Sequence, residues 1–227
     1  MWNGKMKAVT FSYDDGIRQD MRLVELFNKY GMKATFNLNS GIQSDVSPFI
    51  NKEIVVHRMN IAGLKELYAG HEIASHALTH ANLVRVSPET VYNEVKTDME
   101  ILSARFGQNV TGFAYPFGAY NDSVVDILKQ CGVSYARTVK SSHNFELPTD
   151  PLRLEATCHH NDPIIMDLID KFLALKPETP QLLYIWGHSY EFDADNNWEH
   201  IETILQKLSG RDDIFYGTNR EVLFYEY

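Results

Sequence analysis

The chain has 227 residues, 44% apolar and 22% charged, with a formal net charge of −9; that length suits one hydrophobic core and a single domain over residues 1–227. The acidic balance excludes a phosphate-backbone partner, because nucleic-acid affinity depends on Lys and Arg displacing counterions. Met1 to Lys7 carries no apolar leader or cleavage site and no apolar run approaches a bilayer span, so the expectation is a cytoplasmic protein with neither membrane nor nucleic-acid partner, its oligomeric state open.

The first predicted strand, Lys7 to Tyr13, runs into Asp14-Asp15-Gly16. Two adjacent carboxylates repel unless a cation or a proton separates their roles; Asp-Gly is equally a common turn pair, and both readings stand at this point. Met21, Val24 and Phe27 before Gly31 then mark a helix by spacings of three and four. A second strand, Lys33 to Leu38, ends at Asn39, and the irregular stretch from Ser40 to Asn60 reads as a loop over the site. The third strand, His71 to Ser75, enters His76-Ala77-Leu78-Thr79-His80. A lone histidine is usually structural, but this i, i+4 pair can converge on one ion if the segment turns helically.

Ser87 as N-cap and Pro88 in the first turn open a helix whose apolar face is Val91, Val95, Met99, Leu102 and Phe106. Strands follow at Gly112 to Tyr115, leading to Pro116-Phe117-Gly118, at Ser134 to Arg137 and at Leu152 to Leu154. After Asp162-Pro163, Ile165, Leu168, Ile169 and Phe172 predict a helix; Gln181 to Trp186 is a buried strand that stops short of His188. Trp198, Ile201, Leu205 and Leu208 before Gly210 give another helix, and Asp213 to Tyr216 the last strand. Cys131 and Cys158 lack CxxC spacing and read as small buried hydrophobes, so any metal here is held by imidazole and carboxylate, the donor set of hydrolytic zinc.

Strand and helix alternating to the end predict an α/β fold with a parallel sheet. About seven such units form a distorted (β/α) barrel with its chemistry at the C-terminal strand ends. The polar clusters at Asp14-Asp15, Asn39, His76 to His80, Pro116 to Gly118, Arg137 and His188 all fall at or just past predicted strand ends.

Together these clusters resemble the polysaccharide deacetylase family, the NodB-type carbohydrate esterases, over nearly the whole chain. Phe11-Ser12-Tyr13-Asp14-Asp15-Gly16 is similar to its TFDDG motif and His76 to His80 to its HSxxH or HTxxH motif. Ala114-Tyr115-Pro116-Phe117-Gly118 resembles RxPY(G), and Trp186-Gly187-His188 resembles the LxH segment. The resemblance implies that Asp15, His76 and His80 bind a divalent metal, zinc first, with cobalt, nickel, manganese or iron accepted by the same donors. It further implies Asp14 as general base, His188 as general acid and the Phe117 backbone N–H as an oxyanion donor. The reaction implied is removal of an acetyl group from an N- or O-acetylated carbohydrate. Alternatives are a small acylated metabolite or cyclic amide as substrate, or a sugar-binding protein without activity.

Departures from the family pattern set further expectations. Ala77 stands where Ser or Thr supports the neighbouring ligand, so that support must come from elsewhere. Ala114 stands where an arginine pairs with the base, leaving Arg137 or Arg153 to substitute, and either of these reads equally as a rim salt bridge. Ser189 replaces a frequent acidic residue, which Glu191 or Asp193 can restore; His159 and His160 read as rim packing. Tyr115, Pro116, Trp186 and Tyr190 are the candidates for lining a substrate site, although most aromatics simply fill the core.

Overall fold

The computed structural model describes residues 1–44, 46 and 48–225. In chain order it has β1 (Lys7–Asp14), α1 (Asp20–Lys29), β2 (Ala34–Leu38), β3 (Phe49–Asn51), β4 (Ile54–Val56), α2 (Leu64–Leu67) and β5 (Glu72–Ser75). Then come α3 (Pro88–Phe106), β6 (Gly112–Ala114), α4 (Asp122–Cys131), β7 (Tyr135–Ser141), β8 (Leu154–Ala156), β9 (Cys158–His159) and α5 (Ile165–Ala174). The chain ends with β10 (Gln181–Gly187), α6 (Tyr190–Ala194), α7 (Trp198–Leu208), β11 (Ile214–Tyr216) and α8 (Asn219–Leu223).

Local chemistry explains the helix limits. Ser87 Oγ accepts the Thr90 N–H at the start of α3, Pro88 needs no donor partner in the first turn, and Gly107 closes the helix at φ +67°. In α1 the buried face is Leu23, Val24 and Phe27, whereas Met21 is exposed, one position off the stripe expected for it. Helix α4 was not among the expected elements, yet its signals are ordinary: Asn121 caps Val124 N–H, Val124, Val125 and Leu128 face inward, and Gly132 ends it in the left-handed region.

The main sheet runs β8-β7-β6-β5-β2-β1-β10-β9, all parallel. Its two ends are one extended stretch of chain. Residues 154–156 pair with β7 and residues 158–159 with β10. Between them, Thr157 donates its N–H to Tyr184 and accepts the His143 N–H. This stretch closes the ring, so the fold is a distorted (β/α) barrel of seven staves when β8 and β9 are counted as one. β11 stands beside the first half of β1, and β2 beside the second.

Side chains of β1 alternate as a strand requires. Val9, Phe11 and Tyr13 pack with Leu23, Val24 and Phe27 of α1 in the outer core. Thr10, Ser12 and Asp14 meet Asn219, Asn37 and Arg137 in a polar interior. The stretch from Ser40 to Asn60, expected as a loop, contains the antiparallel hairpin β3-β4, which its Phe49-Ile50 and Ile54-Val55-Val56 apolar runs support; positions 45 and 47 lie outside the described residues.

Candidate active site

Asp14 and Asp15 leave the end of β1, His76 follows β5, Phe117 follows β6 and His188 follows β10. These side chains converge at one mouth of the barrel on a cavity of about 440 Å³, lined by Asp14, Asp15, His76, His80, Tyr115, Phe117, His188 and Tyr190 with Phe49 and Arg58. The backbone there is unusual. Asp15 (φ +81°), Ala77 (+63°), His80 (+57°) and Phe117 (+59°) all occupy the left-handed region. Such conformations are costly for non-glycine residues and concentrate where a site over-determines them.

The His76 to His80 stretch is not the helical turn its spacing suggested; two left-handed residues fold it instead, and the two rings meet edge-on at 4.7 Å. His76 Nδ1 lies 2.8 Å from the Ala114 carbonyl oxygen, so it carries the proton and Nε2 offers its lone pair to the cavity. This backbone oxygen supplies the support that Ala77 cannot. Asn39 adds to it by donating to the carbonyls of His76 and Ala77. Donor atoms of Asp15, His76 and His80 all lie within 4.8 Å of one another. Burial, reinforced by His76 and opposed by Asp15, lowers His80 to about 4, which keeps its ring neutral. Two imidazoles and a carboxylate at these separations fit a divalent cation.

Asp14 resolves the choice between the two arginines by placement. Arg137 Nη2 lies 2.6 Å from each carboxylate oxygen, its Nε 3.2 Å from Ser12 Oγ, and Asn37 donates to the same carboxylate at 2.8 Å. Burial alone would raise the Asp14 carboxyl; Arg137, His76 and His188 outweigh it and hold the group at about 2. Arg153 is elsewhere, part-exposed and paired with Asp150 and Asp122 at 2.6 and 2.8 Å. The arginine is thus supplied from β7 rather than β6, and the register makes this possible, since Ala114 and Arg137 are paired across the two strands.

Trp186 was expected to line the cavity, but its ring lies 4.4 Å beneath the Arg137 guanidinium and supports that side chain from behind. Pro116 is buried behind Phe117 and does not reach the cavity wall. Tyr115 and Tyr190 do line it, with Tyr115 Oη donating to the Leu152 carbonyl. The Phe117 ring packs on His80 at 4.5 Å. The adjacent N–H groups of Gly118 and Ala119 close turns on Tyr115 and Pro116, whereas that of Phe117 takes no backbone acceptor among the described residues.

His188 Nε2 is 3.8 Å from Asp14 Oδ2, and Nδ1 is 3.6 Å from Glu191 Oε1. Burial by itself would lower His188; Glu191, Asp14 and Asp15 together raise it to about 9, so an imidazolium persists at neutral pH. Of the two acidic candidates, Glu191 is therefore the partner. Asp193 accepts from Gln19 and Trp198 instead, and Ser189 donates to the buried Asp20. Arg58 and Phe49 were missed by sequence reasoning: Arg58 reaches Asp15 Oδ1 at 3.4 Å and stacks on Phe49 at 4.7 Å. No spacing rule marks either residue, because the hairpin brings them over the barrel mouth.

A family model described as polysaccharide deacetylase matches residues 3–136. The peptidoglycan-N-acetylglucosamine deacetylase PgdA of Listeria monocytogenes is 24% identical over 122 residues, 53% of this chain and 23% of that protein. Thus the chain spans less than half the length of the curated relatives it matches. Among solved structures, the Xyl-CE4 domain of a multidomain xylanase from the hindgut metagenome of Trinervitermes trinervoides superposes with a TM-score of 0.63 at 17% identity, covering 95% of this chain and 89% of that one. BA3943 of Bacillus anthracis, described as a family pseudoenzyme, superposes with a TM-score of 0.58 at 17% identity, covering 96% and 66%. Likeness of fold, which extends to a protein described as a pseudoenzyme, therefore does not by itself establish activity.

Proposed function

This chain belongs to the polysaccharide deacetylase family, and we propose that it is a metal-dependent hydrolase that removes an acetyl group from an N- or O-acetylated carbohydrate. The observation carrying this reading is the meeting of Asp15, His76 and His80, with donor atoms within 4.8 Å, beside an ionised Asp14 and a protonated His188. Asp15, His76 and His80 would hold a divalent cation, zinc first, which when bound would supply a Lewis acid and lower the pKa of a water there. Asp14 takes the water proton at its carboxylate, which Arg137 keeps charged and oriented. The Phe117 N–H, which takes no backbone acceptor among the described residues, would donate to the developing oxyanion. Nε2 of His188 then delivers its proton to the departing amine or alcohol, with Glu191 behind the ring.

Zinc- or cobalt-loaded protein should release acetate from a chitooligosaccharide, a peptidoglycan fragment or acetylated xylan. Asp14→Asn should keep the ion and lose roughly 10²–10⁴ in rate, whereas His76→Ala should lose ion and turnover together. Full rate in Asp14→Asn would overturn the base assignment. A second reading keeps the chemistry and changes the substrate to a small acylated metabolite or cyclic amide. It is favoured by the size of the cavity and by the Phe49 and Arg58 cover, which suit one small ring better than a long polymer. Faster turnover of a soluble metabolite than of every glycan tested would select it; sugar binding without turnover in metal-replete protein would leave a binding protein.

A further inference from the structure

A second cluster lies behind His188. Glu191 is faced by three imidazoles: His159 Nε2 at 3.1 Å and His160 Nε2 at 2.9 Å from Oε2, and His188 Nδ1 at 3.6 Å from Oε1. Donor atoms of His159, His188 and Glu191 fall within 4.8 Å, the same closeness shown by Asp15, His76 and His80. Proton placement separates the two clusters. His76 Nδ1 faces a carbonyl oxygen, leaving a lone pair on Nε2 for a cation. His159 Nδ1 instead accepts the Asn161 N–H at 3.1 Å, so Nδ1 has no proton and Nε2 carries one. A metal on that Nε2 would require an imidazolate ring; a carboxylate needs only the N–H that is there.

We infer that His159 is a positioning residue for the general acid: with the His188 backbone N–H, it holds one carboxylate oxygen of Glu191 so that the other stays 3.6 Å from His188 Nδ1. The inference rests on the reading of His188 as the acid. His160 is wholly buried, with Nδ1 3.1 Å from Tyr13 Oη, and burial lowers it to about 4, so it meets Glu191 as a neutral ring. The Asn161 amide fixes the His159 ring while its edge packs on Trp186, the residue that supports Arg137. Charged and titratable groups facing His188 are Asp14 of β1 and Asp15 just past it, His159 of β9 and His160 just past it, and Tyr190 and Glu191 of α6. Glu191 Oε1 faces Nδ1 at 3.6 Å, so freeing it changes the charge beside the acid without touching the metal ligands.

Two measurements test this. Imidazole ¹⁵N shifts of wild-type, zinc-loaded protein should show His159 with its proton on Nε2; a proton on Nδ1 overturns the inference without recourse to any variant. His159→Leu, which removes the donor, should retain bound zinc at about one ion per chain, lose roughly tenfold or more in kcat with KM within about twofold, and shift the basic limb of the kcat profile to lower pH by about a unit. His159→Gln, which keeps an N–H near the same place, should recover most of that loss. An unchanged kcat and limb in His159→Leu, or a second zinc ion in the wild type that His159→Leu abolishes, overturns it. Undiminished turnover in His188→Ala would instead defeat the acid assignment, leaving the tautomer result standing.

Discussion

Replacing Arg137 with Met removes one member of a buried ion pair while keeping much of the volume above Trp186. Arg137 is 1% and Asp14 3% exposed, and a single guanidinium nitrogen lies 2.6 Å from both carboxylate oxygens. Burial favours the protonated carboxyl, yet Arg137, with His76 and His188, holds it at about 2 against an ordinary 3.8. That difference corresponds to roughly 2–3 kcal/mol at pH 7. Removing one partner of a buried pair costs roughly 3–5 kcal/mol, because the remaining charge is stranded. Urea unfolding of metal-free protein at pH 7 should therefore show a loss of about 3 kcal/mol or more. The pH dependence has a definite sign. In the wild type the folded carboxyl titrates below the unfolded one, so its contribution is complete above the unfolded value near 4 and is lost as pH falls through about 2. In Arg137→Met burial is no longer outweighed by the guanidinium, so ionisation becomes a cost as pH rises. The gap between the two proteins should be widest near neutrality and close as the carboxyl protonates. A gap under about 1 kcal/mol at pH 7, or one that is the same at pH 4, refutes the account of Asp14 and Arg137 as a buried pair.

Glu191→Gln should move the basic limb of the pH–kcat profile to lower pH, because the His188 imidazolium, the acid in the proposed reaction, persists only up to a pKa that Glu191 helps to raise to about 9; a limb that stays in place removes Glu191 from that role. Gly187→Ala should lower the melting temperature, at a cost of roughly 1–3 kcal/mol, since a Cβ there would come within 2.1 Å of the buried His160 ring. Wild-type stability in that variant would contradict the close approach. Ser87→Ala, far from the cavity, should cost about 1 kcal/mol by losing the cap on Thr90 N–H while leaving metal content and rate alone; a changed rate would show that α3 is coupled to the site.

Periodicity alone determined much of this molecule. The start of α3 follows from Ser87 and Pro88, and the apolar faces of α5 and α7 are the ones their spacings mark. The alternation of strand and helix implied a parallel barrel and put the polar clusters on one rim, and Asp15, His76 and His80 do converge there. Local signals of this kind are legible because caps, turns and amphipathic faces depend on residues a few positions apart.

Tertiary structure decided what depends on neighbours far along the chain. Arg137 and Arg153 are equivalent as residues in a strand pattern, but only Arg137 projects into the barrel, 123 positions from the Asp14 it meets. Trp186 is an aromatic beside a histidine in the sequence and a floor for a guanidinium in the fold. The His76 to His80 spacing suggested convergence by a helical turn, whereas left-handed backbone at Ala77 and His80 achieves it, a choice fixed by the carbonyl and amide partners around it. Most plainly, two histidine clusters of like composition carry opposite protons, because one Nδ1 meets a carbonyl of β6 and the other the amide of Asn161. Residue type defines which atoms can bind a proton or an ion; the backbone group packed against the far side of the ring decides which of them does.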